Sequence, residues 1–164
     1  MAAGSTYTPL ANTTLASTQT EVNFTSISQI YTDLVLVVAG STTSATSLFM
    51  RVGNGSVDTA SNYSVTRLYG SGSAASSDNL TSQDVMYIST GNFTTANTIV
   101  NLQNYSNTTT YKTMIYRLNM PAAFVGANVN LWRSTSAINT IKVYVTSSTL
   151  TVGSTFTLYG IAAA

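Results

Sequence analysis

The run Leu34-Val35-Leu36-Val37-Val38, set in Tyr31 to Gly40, constrains this chain more than any other stretch. Five consecutive apolar, mostly β-branched residues leave no polar face, which predicts a strand covered on both sides. The run is too short to cross a membrane. Its brevity, its valines and the following Gly40-Ser41-Thr42-Thr43-Ser44 argue against a helix, and that polar cluster predicts where the strand stops.

The remainder reads as lighter, alternating strands packed around this one. At 164 residues with no cysteine the chain fits one domain that buries its own core without staples. The predicted division is an N-terminal arm or edge strand over residues 1–16 and a single β-sandwich over 17–164. Only 7% of residues are charged, while Ser, Thr and Asn together make up about 40% and apolar residues 44%. An ordinary domain is about one-quarter charged, so hydroxyl and amide groups must supply the polar surface. A net charge of +1 with six scattered basic residues gives no footprint for a phosphate backbone, which excludes nucleic acid as the expected partner. Charge keeps small domains apart and is depleted in interface cores, so this chain is expected to live in an assembly. Met1 to Ser5 carry neither basic residues nor an apolar segment, and no secretory signal is expected there.

In chain order, Pro9 lacks a backbone donor and marks Thr6 to Val22 as an edge segment anchored by Tyr7, Leu10 and Leu15. Residues 41–46 read as a polar loop. Leu48 to Val52 form a strand closed by the turn Gly53-Asn54-Gly55. Asn62 to Gly70 alternate, and Gly70 to Gln83 read as the longest surface loop. Further strands follow over 84–89 and 95–102, with a turn at Gly91-Asn92. A hairpin tip at 104–108 leads into 111–118, where Pro121 ends the strand. Phe124 to Trp132 set Phe124, Asn128 and Asn130 opposite Val125, Ala127, Val129 and Leu131, the pattern of a half-buried strand. Strands at 138–145 and 154–161 complete the set. About ten short strands without a helical segment predict an all-β, antiparallel β-sandwich, jelly-roll-like in topology.

No catalytic constellation stands out. Histidine and cysteine are both absent, which removes the common nucleophile systems and most transition-metal sites. The five acids Glu21, Asp33, Asp58, Asp78 and Asp84 could in principle supply a glycosidase pair, with Asp78 and Asp84 as the candidates. Turn and strand-end roles suit them better. A Ca²⁺ site of Asp and carbonyl oxygens around Asp78 and Asp84 or near Asp58 stays open, but the spacing matches no standard loop, and no metal or cofactor is expected. Gly70-Ser71-Gly72-Ser73 lacks the Lys and strand-to-helix setting of a phosphate cradle. Asn-X-Ser/Thr triplets at Asn62 and Asn92 are what chance gives in so polar a chain. Ten tyrosines and Trp132 could stack on sugars or simply fill the sheets.

Four stretches, Ser61-Asn62-Tyr63-Ser64 running to Arg67-Leu68, residues 104–113, 131–138 and 153–161, join Tyr31-Thr32-Asp33-Leu34 in a recurring set. As a set they resemble small virion structural proteins of tailed bacteriophages, especially phages of marine cyanobacteria and other ocean bacteria. The resemblance implies an all-β particle protein on the capsid exterior or in a tail or fibre, commonly trimeric, with no catalytic residue. The absence of a shaft, a collagen-like repeat and heptads points to a compact capsid decoration, knob or cement protein. The alternative is a receptor-binding tail-fibre tip module that recognises host surface glycan through loops 70–83 and 104–110. Contacts with other virion proteins or with further copies are expected at Tyr7, Pro9 and Leu10 of the arm, and at Trp132 and Arg133, residue types enriched in binding hot spots. Trp132 equally suits a core position and Arg133 a solvated one.

Overall fold

The computed structural model describes residues 6–89, 93–120 and 124–162. Met1 to Ser5, the Gly91-Asn92 turn with its Asn92 triplet, and Pro121 lie outside the described residues. Among the described residues there are thirteen strands and no helix: β1 (Tyr7–Thr14), β2 (Glu21–Phe24), β3 (Asp33–Thr46), β4 (Phe49–Asn54), β5 (Ser56–Val57), β6 (Tyr63–Gly70), β7 (Ala75–Gln83), β8 (Met86–Tyr87), β9 (Phe93–Leu102), β10 (Lys112–Met120), β11 (Phe124–Trp132), β12 (Thr140–Tyr144) and β13 (Thr155–Ile161).

They form two antiparallel sheets. One has eight strands in the order β1-β13-β3-β9-β10-β11-β6-β7, and the other has the order β2-β12-β4-β5 with β8 also against β4. Taken alone, β1, β2, β3, β4, β8, β9, β12 and β13 run 1-8-3-6 in the first sheet and 2-7-4-5 in the second, the order of a jelly roll. The sandwich expected from the sequence is therefore present. Its larger sheet is widened by β10, β11, β6 and β7, inserted as two hairpins.

The core lies between the sheets. Leu34, Leu36 and Val38 of β3 are fully buried, and so are Val100 and Phe156 on the strands that flank it. Val22, Phe24, Met50, Val52, Ile141 and Val143 of the smaller sheet close the same cluster. Val35, on the other face of β3, is also buried, but Val37 beside it is only half-buried, so the cover expected on both sides is complete on the inner face and partial on the outer one.

Two boundaries differ from the sequence reading. The strand does not stop at Gly40 but continues through the polar cluster to Thr46. Serine and threonine are weak strand signals alone, yet here Ser41, Thr43, Ser44 and Thr46 find hydroxyl partners on the segment 147–151. Ser41 bonds Thr151, Thr43 bonds Ser148 and Thr149, and Thr46 bonds Ser147, while the Thr43 and Thr151 amides donate across the same gap. Likewise, Ala75–Gln83 is no loop. It is β7, paired with β6 from Gly70↔Ala75 to Tyr63↔Gln83, and pinned by a two-pronged Arg67–Asp78 ion pair at 2.6 and 2.5 Å. Cross-strand pairing replaced the apolar pattern that the segment lacks.

The predicted Gly53-Asn54-Gly55 turn does join β4 to β5, with Gly55 at φ 81°. A second glycine is fixed by packing. A Cβ on Gly160 would lie 2.5–2.7 Å from ring carbons of Tyr31, whose ring closes one end of the core. Gly160→Ala should therefore lower unfolding free energy by about 1–3 kcal/mol, the usual cost of overpacking. Combined with Tyr31→Ala in denaturant unfolding, the loss should be smaller than the sum of the two single losses. Strict additivity would show that the two side chains do not compete for this space.

Candidate interaction face

The residues singled out for contacts fall in two separate places. Tyr7, Pro9 and Leu10 lie on β1, the outermost strand of the eight-stranded sheet. Tyr7 is 56% exposed and meets Tyr159 edge to face, with 6.1 Å between ring centres. Pro9 is exposed opposite Tyr159, and a bulge follows at Leu10, which turns towards the core. Trp132 ends β11, five places away in the same sheet, and Arg133 follows it.

Trp132 takes the core role. It is buried, and its indole Nε1 donates to Asp58 Oδ2 at 2.8 Å. Arg133 is half-buried and donates to the Ser61 carbonyl at 2.7 Å and to Ser64 Oγ at 3.2 Å, tying β11 to the start of β6.

The informative strand is β11. Its alternation is as read, but its faces are inverted relative to a simple polar-out strand. Asn128 and Asn130 point into the sandwich and are buried, whereas Val125, Ala127 and Val129 face outward and are exposed. The buried amides are not idle: Asn128 Oδ1 accepts from the Leu68 amide and Asn130 Nδ2 donates to the Tyr87 carbonyl. Register fixes the inversion, because a one-residue shift would exchange the two faces. On the neighbouring strands Lys112, Met114, Tyr116 and Leu118 of β10 also point inward, leaving Ile115 outward.

Cross-strand register assembles one outer face from these residues. Tyr159, Val35, Asn101, Ile115 and Val129 stand side by side across five strands. The next row is Thr157, Val37, Ile99, Arg117, Ala127 and Leu68. Five of the eight most exposed large hydrophobic side chains of the described residues, Tyr7, Leu68, Ile115, Val125 and Val129, lie on this face. Leu68 and Val125 are 58% and 61% exposed, and they border a shallow depression of about 630 Å³ with Ile99, Arg117 and Ala127. An apolar area gathered on one face marks an interaction site.

Ionised groups are nearly excluded from it. Asp33 stands at one end of β3, where Oδ1 accepts from the Asn104 amide at 2.6 Å, Arg117 stands on β10, and Arg133 lies against Ser64 at the β11–β6 corner. The three ion pairs, Arg51–Asp84, Arg67–Asp78 and Lys142–Glu21, are all elsewhere.

The same inventory bears on catalysis. Asp78 and Asp84, the candidate hydrolytic pair, are each engaged by a different arginine. Partial burial raises the Asp58 carboxyl, but hydrogen bonds from Trp132, Asn62 and the Ala60 amide outweigh that and hold it below its ordinary value. The arginine partner holds Asp78 low, and Lys142 does the same for Glu21. Neither is raised as a general acid must be. Among the described residues no group of three or more His, Cys, Asp or Glu side chains could hold a metal ion. No known protein-family model matches the chain, and no curated protein matches it either.

Depressed carboxylates make stability depend on pH in one direction. Their contribution is complete above the ordinary Asp value of 3.8 and is lost as pH falls through the lower folded-state value. Denaturant midpoints should be flat between about pH 5 and 7 and fall below about pH 4. Asp58→Asn keeps one acceptor oxygen but sets an Nδ2 donor against either the Trp132 and Asn62 donors or the Ala60 amide, so it should lower the neutral-pH midpoint and shallow the acid limb. An unchanged acid limb would show that Asp58 contributes nothing to it.

Proposed function

We propose that this chain is a non-enzymatic structural subunit of a tailed-phage particle, seated on the particle exterior as a capsid decoration or knob. It would work by association through the outer face of the eight-stranded sheet, as part of a homo-oligomer and against other virion proteins. The observation that carries this reading is the inverted strand β11, which turns Val125 and Val129 to the outside and Asn128 and Asn130 to the inside. A fold that only had to be stable in water would gain by the opposite choice. Covering each of these half-exposed side chains contributes about 1 kcal/mol to association, and the scarcity of charge keeps the desolvation cost low.

The resemblance of the sequence to virion proteins supplies the kind of assembly, and the engaged, depressed carboxylates support a role without acid–base chemistry. The receptor-binding alternative is less well supported. One of its two recognition loops, 70–83, is largely strand β7, and in the other Asn107 Oδ1 is spent on the Thr109 and Thr110 amides.

A density map of the intact particle tests the reading. The chain should be found on the exterior, with Ile115, Val125 and Val129 against protein. Particles that lack the chain, or a chain whose outer face is open to solvent, would overturn it.

A further inference from the structure

We infer that the outer face of the eight-stranded sheet is a two-fold dimer interface, occupied by the same face of a second copy of this chain. The inference rests on the reading of this face as the working surface and names its partner.

Size is the first argument. Eight strands about 4.8 Å apart, with outward residues repeating about every 6.8 Å over four rows, give a face of about 700 Å². That is close to the roughly 800 Å² that each partner contributes to a standard stable interface. Sheets pack face to face through such rows of apolar side chains.

Charge is the second. A face-to-face dimer places the symmetry axis in the plane between the copies, and every contact then occurs twice. Among the described residues this face offers one anion, Asp33, and, apart from Arg133 held by Ser61 and Ser64 at the β11–β6 corner, one cation, Arg117, two strands away through β9 and four residues away along the ladder. An axis that bisects the line between them sets each Arg117 on the partner's Asp33. Arg117 is in none of the three ion pairs, and Asp33 spends Oδ1 on the Asn104 amide, leaving Oδ2 to accept. Asn101 lies midway, on β9, where an amide can donate to and accept from its own copy. A foreign partner would need both an acid and a base at this spacing, whereas a second copy has them by construction.

Association along the β1 edge is hindered by contrast. Pro9 and the bulge beside it interrupt the ladder that an added strand would need. The dimer is two-fold, where the sequence resemblance implies a trimer.

Light scattering coupled to size exclusion reads the oligomer directly. The wild-type chain should run as a dimer. Arg117→Asp, and separately Asp33→Lys, place like charges together twice per dimer and should each weaken association at least about tenfold. Mixed in equal amounts, the two variants should recover the dimer, since both contacts are then of opposite sign. Because Asp33 also holds the Asn104 amide, a second measurement guards against misfolding at that position. Asn101→Cys, the sole cysteine in the chain, should be captured as a dimer by a short bis-maleimide, and Thr66→Cys on the same face should not. A wild-type monomer, a dimer indifferent to Arg117→Asp, or failure of folded variants to restore each other overturns the inference. If the wild type is monomeric but Arg117→Asp still blocks incorporation into particles, only the self-partner fails. If face variants leave incorporation unchanged, the functional reading fails with it.

Discussion

The pairing of β3 with β13 and β9, and the burial of its inward row against the smaller sheet, is the constraint from which the rest of the structure follows. Leu34, Leu36 and Val38 fix the register of that strand, because a one-residue slip would bring them to the surface. Once β3 is placed, β9 carries the ladder on to β10 and β11, so the inside and outside of the whole sheet are decided at its centre. The outward positions of β10 and β11 inherit their environment from β3. Their apolar character is thus a property of the sheet as a unit.

Scarcity of charge shapes the interior and the exterior alike. With few ions available, polar groups turn to neutral partners: the hydroxyl ladder between Ser41–Thr46 and 147–151, the Asp58 carboxylate shared by Trp132, Asn62 and Ala60, and the buried amides of Asn128 and Asn130, each of which bonds through one of its two polar atoms. Lys112 shows the same economy. Its buried ammonium donates to the Thr110 and Thr135 carbonyls, and burial holds its pKa below the ordinary lysine value. The ions that remain are mostly paired, which leaves the broad outer face almost neutral and open to close approach by protein.

The sandwich was legible from β-branched runs, alternation and turn residues, because those signals are local. Strand β3 from Leu34 to Val38 and the Asn54-Gly55 turn are readable for this reason. The extension of β3 and the existence of β7 were not, since Ser, Thr and Asn become strand residues only when a distant segment supplies partners, as 147–151 and β6 do. The interaction face was half visible. Alternation in Phe124–Trp132 showed two faces, but which one looks outward is set by pairing with β10 and β6, and Asn inside with Val outside runs against the default. Trp132 is of a binding-type residue class, yet it is a core residue anchored on Asp58, a carboxylate 74 positions earlier. The placement of Arg117 and Asp33 on the proposed dimer face depends on cross-strand register, which no local pattern encodes.

The central claim is that the apolar outer face is covered by protein in the working state. Hydroxyl-radical footprinting of the isolated chain at high dilution and of the chain in the assembled particle tests it most directly. The account predicts that Leu68, Ile115, Val125 and Val129 label readily in the dilute chain and are protected in the assembly, while Ile30 and Val152, exposed elsewhere, label equally in both. Equal labelling of the four face residues in the two states would contradict it.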